Sequence, residues 1–372
     1  MKRRLLSFIA VLLFAIPLFA DDDPQTPYPV EERCVEPPIQ APADFSYSGR
    51  LLMTGYAGIH AMRADWETPR VEAFFNENEL GVPIDGGQLS PDGKWYAAPV
   101  GEVFTEVSMN QYFFVRGLRI YSTESDEEIV FDLYDYTSVL DGGYGIGAWT
   151  VELVRWFDNE GLIIGGFKVH PFDKTVEQSP IMSYQTAGDS FEISPDWSRL
   201  FGQLQIPQTE DSDIASLVVI SNVGASDVAW SNDSSQFIAY RRTPRSSLTL
   251  FDRDGQSIEQ VYIPLAASFD MRRLSAGRNE LGWSPDNRYF AFGDSAYPNP
   301  PNLILLDTID KIAINTCLEV VSDAVWSPDG TQLAMLIQGK TDVRIVIFDL
   351  PSWKSYIVGY HTGNMLAWID DE

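Results

Sequence analysis

Short apolar runs separated by polar turns recur along almost the whole chain. The runs are rich in Val, Ile, Leu, Phe and Tyr, and they lack the i, i+3, i+4 spacing of an amphipathic helix. Clear examples span residues 289–292, 303–307, 332–336 and 343–349. This pattern predicts an all-β chain built from many short strands.

One turn motif, Trp-Ser-Pro-Asp-Gly or a variant of it, recurs between these runs. Pro sets φ near about −65° at the first central turn position, and Asp, Asn and Gly tolerate the conformations that follow. The motif therefore predicts a tight turn between two strands. Its copies begin at positions 89, 156, 193, 230, 283, 326 and 368, at intervals of 37 to 67 residues. Most intervals lie near the ~40–45 residues of a four-stranded propeller blade.

The two ends of the chain complement each other. The last copy stops after its first strand, at 368–370, and a strand-like run that lacks such a partner begins at 49. Further strand-like runs follow near 59–62 and 71–75. We predict a seven-bladed β-propeller closed by pairing the N- and C-terminal strands in one blade, which leaves few strand edges exposed. The alternative is six blades, if the copies at 156 and 193 are not two full blades.

From about residue 45 onward, the Trp-Ser-Pro-Asp-Gly repeats resemble the WD-repeat-like propeller units of TolB-like proteins. Similar units form the propeller of prolyl-oligopeptidase-type peptidases. The resemblance implies a rigid disc used for protein–protein contact or for gating an attached enzyme. The peptidases also carry a Ser-His-Asp hydrolase domain, but the sequence contains no Gly-x-Ser-x-Gly nucleophile elbow.

The N-terminus is typical of a secretory signal. Three basic residues at 2–4 precede an apolar stretch at 5–19, and Ala20 is followed by three aspartates. We predict a signal peptide over 1–20, a Pro-rich acidic tail over 21–44 and the propeller over 45–372, in a secreted or periplasmic protein. Leu18 is large for its place before the cleavage point, so an uncleaved anchor stays the alternative.

Two cysteines are present, Cys34 in the tail and Cys317 far downstream. In an exported protein such a pair favours one disulfide, which would link the tail covalently to the propeller. Two buried free thiols are the alternative. The three histidines, His60, His170 and His361, show no zinc-ligand spacing, and we predict no metal and no cofactor.

The chain is strongly acidic, with 26 Lys and Arg against 53 Asp and Glu. Removal of the signal leaves 23 basic residues and a net charge of −30. This charge repels phosphate backbones and anionic lipids. We therefore expect no nucleic-acid partner and no membrane insertion after signal cleavage, and we expect a monomer.

Basic residues nevertheless concentrate in one predicted blade. They lie in its second-to-third strand loop and in the link that leaves it, and are Arg241, Arg242, Arg245, Arg272, Arg273 and Arg278. The planar guanidinium group suits carboxylates and other bidentate anions. The hypothesis is a binding patch for a protein or an acidic or anionic extracellular ligand. The alternative is that these arginines pair with the chain's own carboxylates.

The long connections fall in one class of loop, at about 100–112, 135–147, 264–280 and 294–302. They would decorate the propeller face opposite the tight turns, which is often the binding face of a repeat protein. Nearby aromatic residues are candidates to stack on sugars or peptides, or to anchor loops: Tyr112, Tyr144, Trp149 and Tyr297. The acidic run at 124–128 is interpreted as a solvated turn.

These features favour an exported, non-catalytic binding or scaffolding module. The alternative class is a propeller hydrolase or lyase that acts on an extracellular glycan from a carboxylate-lined depression. A third interpretation is a structural part of a larger cell-surface assembly. No spacing of carboxylates singles out a catalytic pair.

Overall fold

The computed structural model describes a large part of the chain. The described residues are 26–55, 58–74, 82–83, 87–105, 111–125, 127–132, 154–164, 167–178, 192–196, 198–201, 218–220, 227–241, 247–262, 282–294, 302–320 and 324–370. All regular structure in these ranges is β-strand, in agreement with the predicted all-β class. No helix within them is long and apolar enough to cross a membrane.

The strands, numbered in chain order, form seven separate sheets in the described residues. Sheet 1 contains β29 (Asn364–Ile369), β3 (Arg50–Gly55), β4 (Gly58–Arg63) and β5 (Arg70–Phe74). Sheet 2 contains β6 (Val82–Pro83), β7 (Gln88–Leu89), β8 (Trp95–Thr105), β9 (Gln111–Ser122) and β10 (Glu128–Asp132). Sheet 3 contains β11 (Arg155–Trp156), β12 (Leu162–Ile164), β13 (Phe167–His170) and β14 (Thr175–Gln178).

The remaining sheets follow along the chain. Sheet 4 contains β15 (Glu192–Ile193), β16 (Arg199–Phe201) and β17 (Val218–Ile220). Sheet 5 contains β18 (Asp227–Trp230), β19 (Gln236–Arg241), β20 (Ser247–Asp252) and β21 (Ser257–Tyr262). Sheet 6 contains β22 (Tyr289–Asp294), β23 (Asn302–Asp307), β24 (Ile312–Glu319) and, at its edge, β1 (Val30–Glu32). Sheet 7 contains β25 (Val325–Trp326), β26 (Gln332–Gln338), β27 (Val343–Asp349), β28 (Lys354–Tyr360) and, at its edge, β2 (Ile39–Gln40).

The last strand of the chain pairs in sheet 1 with a strand that begins at residue 50. β29 pairs antiparallel with β3, and Trp368 lies opposite Leu51. The predicted strands at 289–292, 303–307, 332–336 and 343–349 are confirmed as β22, β23, β26 and β27. The region around Trp156 forms a four-stranded sheet, and the region around Ile193 forms one of three described strands.

Buried tryptophans join consecutive sheets. The indole N–H of Trp156 donates to Gln88 O over 3.0 Å, that of Trp283 to Ala229 O over 3.1 Å, and that of Trp326 to Gly282 O over 3.3 Å. Each acceptor directly precedes the equivalent motif position of the preceding sheet. These three motif tryptophans therefore pack in the core and also link one sheet to the preceding one.

The motif turns share one hydrogen-bond pattern. In sheet 7 the Ser327 hydroxyl donates to Asp329 Oδ1 over 2.7 Å and accepts the Gln332 N–H over 2.9 Å, while Thr331 N–H donates to Asp329 Oδ1 over 3.0 Å. The same bonds recur in the turns that begin at Ser90, Ser194, Ser231 and Ser284. The fourth turn residue has positive φ, +70° at Gly330 and +58° at Asn287, which explains the preference for Gly or Asn there.

The Pro-rich tail contributes two edge strands to neighbouring sheets. β1 pairs parallel with β24, and β2 pairs parallel with β28. Between them, Cys34 and Cys317 form a disulfide across a sequence separation of 283 residues. Trp353 Nε1 donates to Arg33 O over 3.0 Å, and the Arg33 guanidinium lies 4.1 Å from the centre of that indole ring. The tail is thus fixed to sheets 6 and 7 along its length.

Candidate interaction surface

The strand connections define two faces. Where successive strands pair antiparallel, first-to-second and third-to-fourth strand turns lie at one end of the sheet, here called the turn face. Second-to-third connections and links to the next sheet lie at the opposite end, here called the link face. In sheet 4, β16 and β17 pair parallel, and only its first turn is assigned to the turn face. In sheet 6, Arg288 in the first turn bonds Asp307 and Asp310 of the third-to-fourth turn, over 2.6 Å and 2.8 Å, which shows that both turns share one face.

The carboxylates of the turn face stabilise the turns. Burial alone would raise the pKa of Asp329, but hydrogen bonds from Ser327 and Thr331 outweigh it, and the pKa lies below its usual value. Asp196 and Asp233 show the same balance between burial and hydrogen bonds from neighbouring serines, and their pKa values are also lowered. These groups are held as anions and act as structural acceptors.

The cations of the turn face are also engaged. Arg199 bonds Asp254 over 2.9 Å, and Arg253 bonds Asp196 over 3.2 Å, so two ion pairs cross from sheet 4 to sheet 5. Lys311 of sheet 6 lies 3.0 Å from Glu259 of sheet 5. On this face, basic residues neutralise the chain's own acids between adjacent sheets.

The link face carries a projecting hairpin. β8 and β9 are 11 and 12 residues long and pair as far as Thr105 opposite Gln111, whereas β10 pairs only with Gly117 to Tyr121. The outer part of the hairpin therefore extends beyond the rest of sheet 2. The sequence pattern predicts a loop insertion at 100–112. The structure shows instead that residues 100–105 belong to β8 and residues 111–112 to β9.

Of the six arginines in the predicted patch, the structure describes only Arg241. Arg241 ends β19, at the link face, and lies opposite Ser247. Arg242, Arg245, Arg272, Arg273 and Arg278 lie outside the described residues, so the patch stays a prediction. Among the aromatic candidates, register places Tyr112 opposite Phe104 in the projecting hairpin, and Tyr144, Trp149 and Tyr297 lie outside the described residues.

Other predicted features are placed directly. The acidic run at 124–128 lies between β9 and β10, where Glu124 and Glu127 are exposed, and Glu128 pairs with the buried Arg119. The predicted disulfide is present between Cys34 and Cys317. The described residues hold no group of three or more His, Cys, Asp or Glu that suits a metal.

Sequence reasoning missed two arrangements. It did not predict that the tail would add strands to sheets 6 and 7, although residues 30–32 and 39–40 are short runs between prolines. It also treated the histidines as scattered, whereas the His60 and His361 rings lie 4.8 Å apart. No local signal marks that pair, because its members come from opposite ends of the chain.

The fold resembles that of several solved structures. Prolyl oligopeptidase B from Galerina marginata matches at 12% identity with a TM-score of 0.51, covering 84% of this chain and 49% of the peptidase. A putative 6-phosphogluconolactonase from Bacteroides fragilis matches at 11% identity and a TM-score of 0.49, covering 89% and 100% of the two chains. TolB from Acinetobacter baumannii matches at 11% and 0.44, covering 88% and 67%.

No family model and no curated protein sequence matches this chain. At these identities the structural likeness concerns the fold alone. The chain spans about half the length of the peptidase that it resembles. Over the described residues it is an all-β protein of several small sheets.

Proposed function

We propose that the chain is an exported, seven-bladed β-propeller that acts as a non-catalytic binding or scaffolding module. Its link face would contact a protein or an acidic or anionic extracellular ligand. The observation that carries this proposal is the contrast between a turn face of short, internally bonded turns and a link face with a projecting hairpin. A projection on a rigid frame is a typical contact surface.

The seven sheets support the ring. β29 contacts β25 and β26 of sheet 7 and β7 of sheet 2, and β7 contacts β11 of sheet 3. Hydrogen bonds join sheet 5 to sheet 6 and sheet 6 to sheet 7, and ion pairs join sheet 4 to sheet 5. The described contacts thus link the sheets in order, except between sheets 3 and 4. Contact between those two sheets would complete a ring closed in sheet 1.

Two observations support export. The first twenty residues are typical of a secretory signal. The Cys34–Cys317 disulfide is characteristic of proteins that fold outside the reducing cytosol.

The binding proposal is tested by cross-linking pull-down from the native envelope and culture fluid. Three baits are compared: the chain without residues 1–20, its Arg272→Ala/Arg273→Ala variant, and a variant in which Glu102–Phe114 is replaced by a two-residue turn. The matched control is Lys94→Ala/Lys354→Ala, which also removes two positive charges but at exposed positions on the turn face.

We expect a partner that the parent chain and the lysine control retain and that the arginine or hairpin variant loses. If every variant retained the partner, the contact would lie outside the arginine patch and the hairpin, and the proposed link-face location would be wrong. If no bait holds a partner but the chain cleaves or depolymerises an extracellular glycan, the non-catalytic proposal is wrong.

A further inference from the structure

Two of the three histidines of the chain meet at the link-face end of sheet 1. His60 lies on β4, and His361 lies in the link between β28 and β29. Their ring centres are 4.8 Å apart, with an angle of 53° between the ring planes. Both side chains are partly buried. The pairing of β29 with β3 therefore brings together two side chains that lie far apart in the sequence.

The backbone orients one of the two rings. His361 Nε2 lies 3.0 Å from Thr54 O. Because a carbonyl oxygen only accepts hydrogen bonds, Nε2 must carry the proton, and Nδ1 keeps its lone pair. Histidines that bind metals usually donate their other ring N–H to a carboxylate or a backbone carbonyl in this way.

Both rings lie close to Gly55. A Cβ atom on Gly55 would lie 2.6 Å from His60 Nε2 and 3.2 Å from His361 Cε1, the ring carbon between Nδ1 and Nε2. Any side chain at this position would therefore displace the histidines. The absence of a Cβ lets both rings approach this glycine together.

The ring separation fits two ligands of one metal ion. With metal–nitrogen distances of about 2.0–2.1 Å, two imidazoles on one tetrahedral or square-planar ion place their ring centres about 4.5–5.2 Å apart. The neutral imidazole is the form that binds metals.

We propose that His60 Nε2 and His361 Nδ1 form a binding site for one divalent transition metal ion of the imidazole-preferring class, with Cu²⁺ bound most tightly. Cu²⁺ stands highest among the first-row divalent ions for nitrogen ligands. Because the described residues contain no third side-chain ligand, water would complete the coordination and leave positions open to an external ligand. This site does not depend on the partner proposed above.

The first test is electron paramagnetic resonance of the purified chain loaded with one equivalent of Cu²⁺ at pH 7.5 in 150 mM NaCl with excess Mg²⁺. The salt and Mg²⁺ suppress non-specific binding to the many carboxylates. We expect one Cu²⁺ signal with coupling to two nitrogens. A spectrum without nitrogen ligands would overturn the proposal, and it does so without any variant having to fold.

The second test is calorimetric titration with Cu²⁺ of His60→Ala, His361→Ala and the control His170→Ala. His170 packs against Phe157 in sheet 3 and takes no part in the pair. Loss of a ligand should weaken binding at least as much as loss of an outer-shell partner, which costs about 10–100-fold in affinity. The control should bind as the parent does, and Gly55→Ala should also weaken binding. Equal affinity in all variants would show an adventitious ion only and would overturn the site.

Discussion

Two junctions between sheets use the same repeated residue and are held together differently. Between sheets 6 and 7, Trp326 donates its indole N–H to Gly282 O, and the disulfide-anchored tail spans both sheets. Between sheets 4 and 5, Trp230 is equally buried, yet its Nε1 has no acceptor among the described residues. There, the Arg199–Asp254 and Arg253–Asp196 ion pairs bridge the turn face.

A sequence repeat therefore does not determine the strength of each junction. A buried hydrogen bond stabilises the interior of the folded protein, and a disulfide restricts the unfolded chain. Exposed ion pairs, in contrast, contribute little and are screened by salt. We infer that the junction between sheets 4 and 5 opens more readily than the junction between sheets 6 and 7.

The largest effect is expected from removal of the disulfide. Cys34→Ser/Cys317→Ser should lower the free energy of unfolding by about 2–5 kcal/mol, because the long loop no longer restricts the unfolded chain. Urea unfolding measures the loss, and hydrogen exchange locates it. Loss of the anchor at Cys317 also lets the tail detach locally, so exchange should accelerate more in β24 and β28 than in β18 and β19. Equal acceleration in all sheets would show that the tail stays attached without the disulfide.

A smaller effect separates the two tryptophans. Trp326→Phe removes the indole bond to Gly282 O, whereas Trp230→Phe removes an N–H that has no acceptor among the described residues. Trp326→Phe should therefore cost about 1 kcal/mol more in unfolding free energy than Trp230→Phe. Thermal and urea unfolding of both variants give this difference, and Trp283→Phe, which also loses a bond, should resemble Trp326→Phe. Equal costs for all three would remove the distinction between the junctions.

The turn carboxylates should respond to acid alike at both junctions. The pKa values of Asp196 in sheet 4 and Asp329 in sheet 7 are lower in the folded chain than the unfolded value of about 3.9. In acid the unfolded state binds more protons, so their stabilisation is present above that value and is lost as the pH falls through the lowered folded pKa. Asp196→Asn and Asp329→Asn should each reduce the loss of stability between pH 5 and pH 2 in urea titrations. A response at only one of them would mean that the turns differ after all.

The smallest effect is expected at the ion pairs. Arg253→Ala should lower the unfolding free energy by at most about 1 kcal/mol, because Arg253 and Asp196 are both substantially exposed. The loss should shrink as NaCl rises from 50 mM to 1 M, since salt screens exposed charges. Lys354→Ala serves as the control for removal of one exposed positive charge. A loss that does not depend on salt would indicate packing by the Arg253 stem instead.

Local patterns predicted the strands and turns well. The Ser-Pro-Asp-Gly turns are set by residues within six positions of one another, as at Ser327, Asp329 and Gln332, so the sequence carries their full hydrogen-bond pattern. The cysteine pairing was also predictable, because only one pairing is possible. The projecting hairpin was not, since residues 100–112 contain too mixed a pattern to separate a long strand from a loop.

The proposed sites show the opposite case. The arginine patch was inferred from residues close in sequence, and it remains a prediction. The histidine pair depends on the register of β29 against β3 and on the absence of a side chain at Gly55, neither of which a single sequence displays. A site assembled from distant segments is invisible until the strands that carry it are paired.

Composition and short-range patterns account for the all-β class, the repeat of tight turns, the acidic charge and the one possible cysteine pairing, because none of these needs the distance between remote residues. Long-range contacts set which sheets are joined by a buried indole bond and which by ion pairs, how the tail adds strands to sheets 6 and 7, and the meeting of His60 with His361. These features depend on the distances between residues far apart in sequence, and packing of the whole core sets those distances.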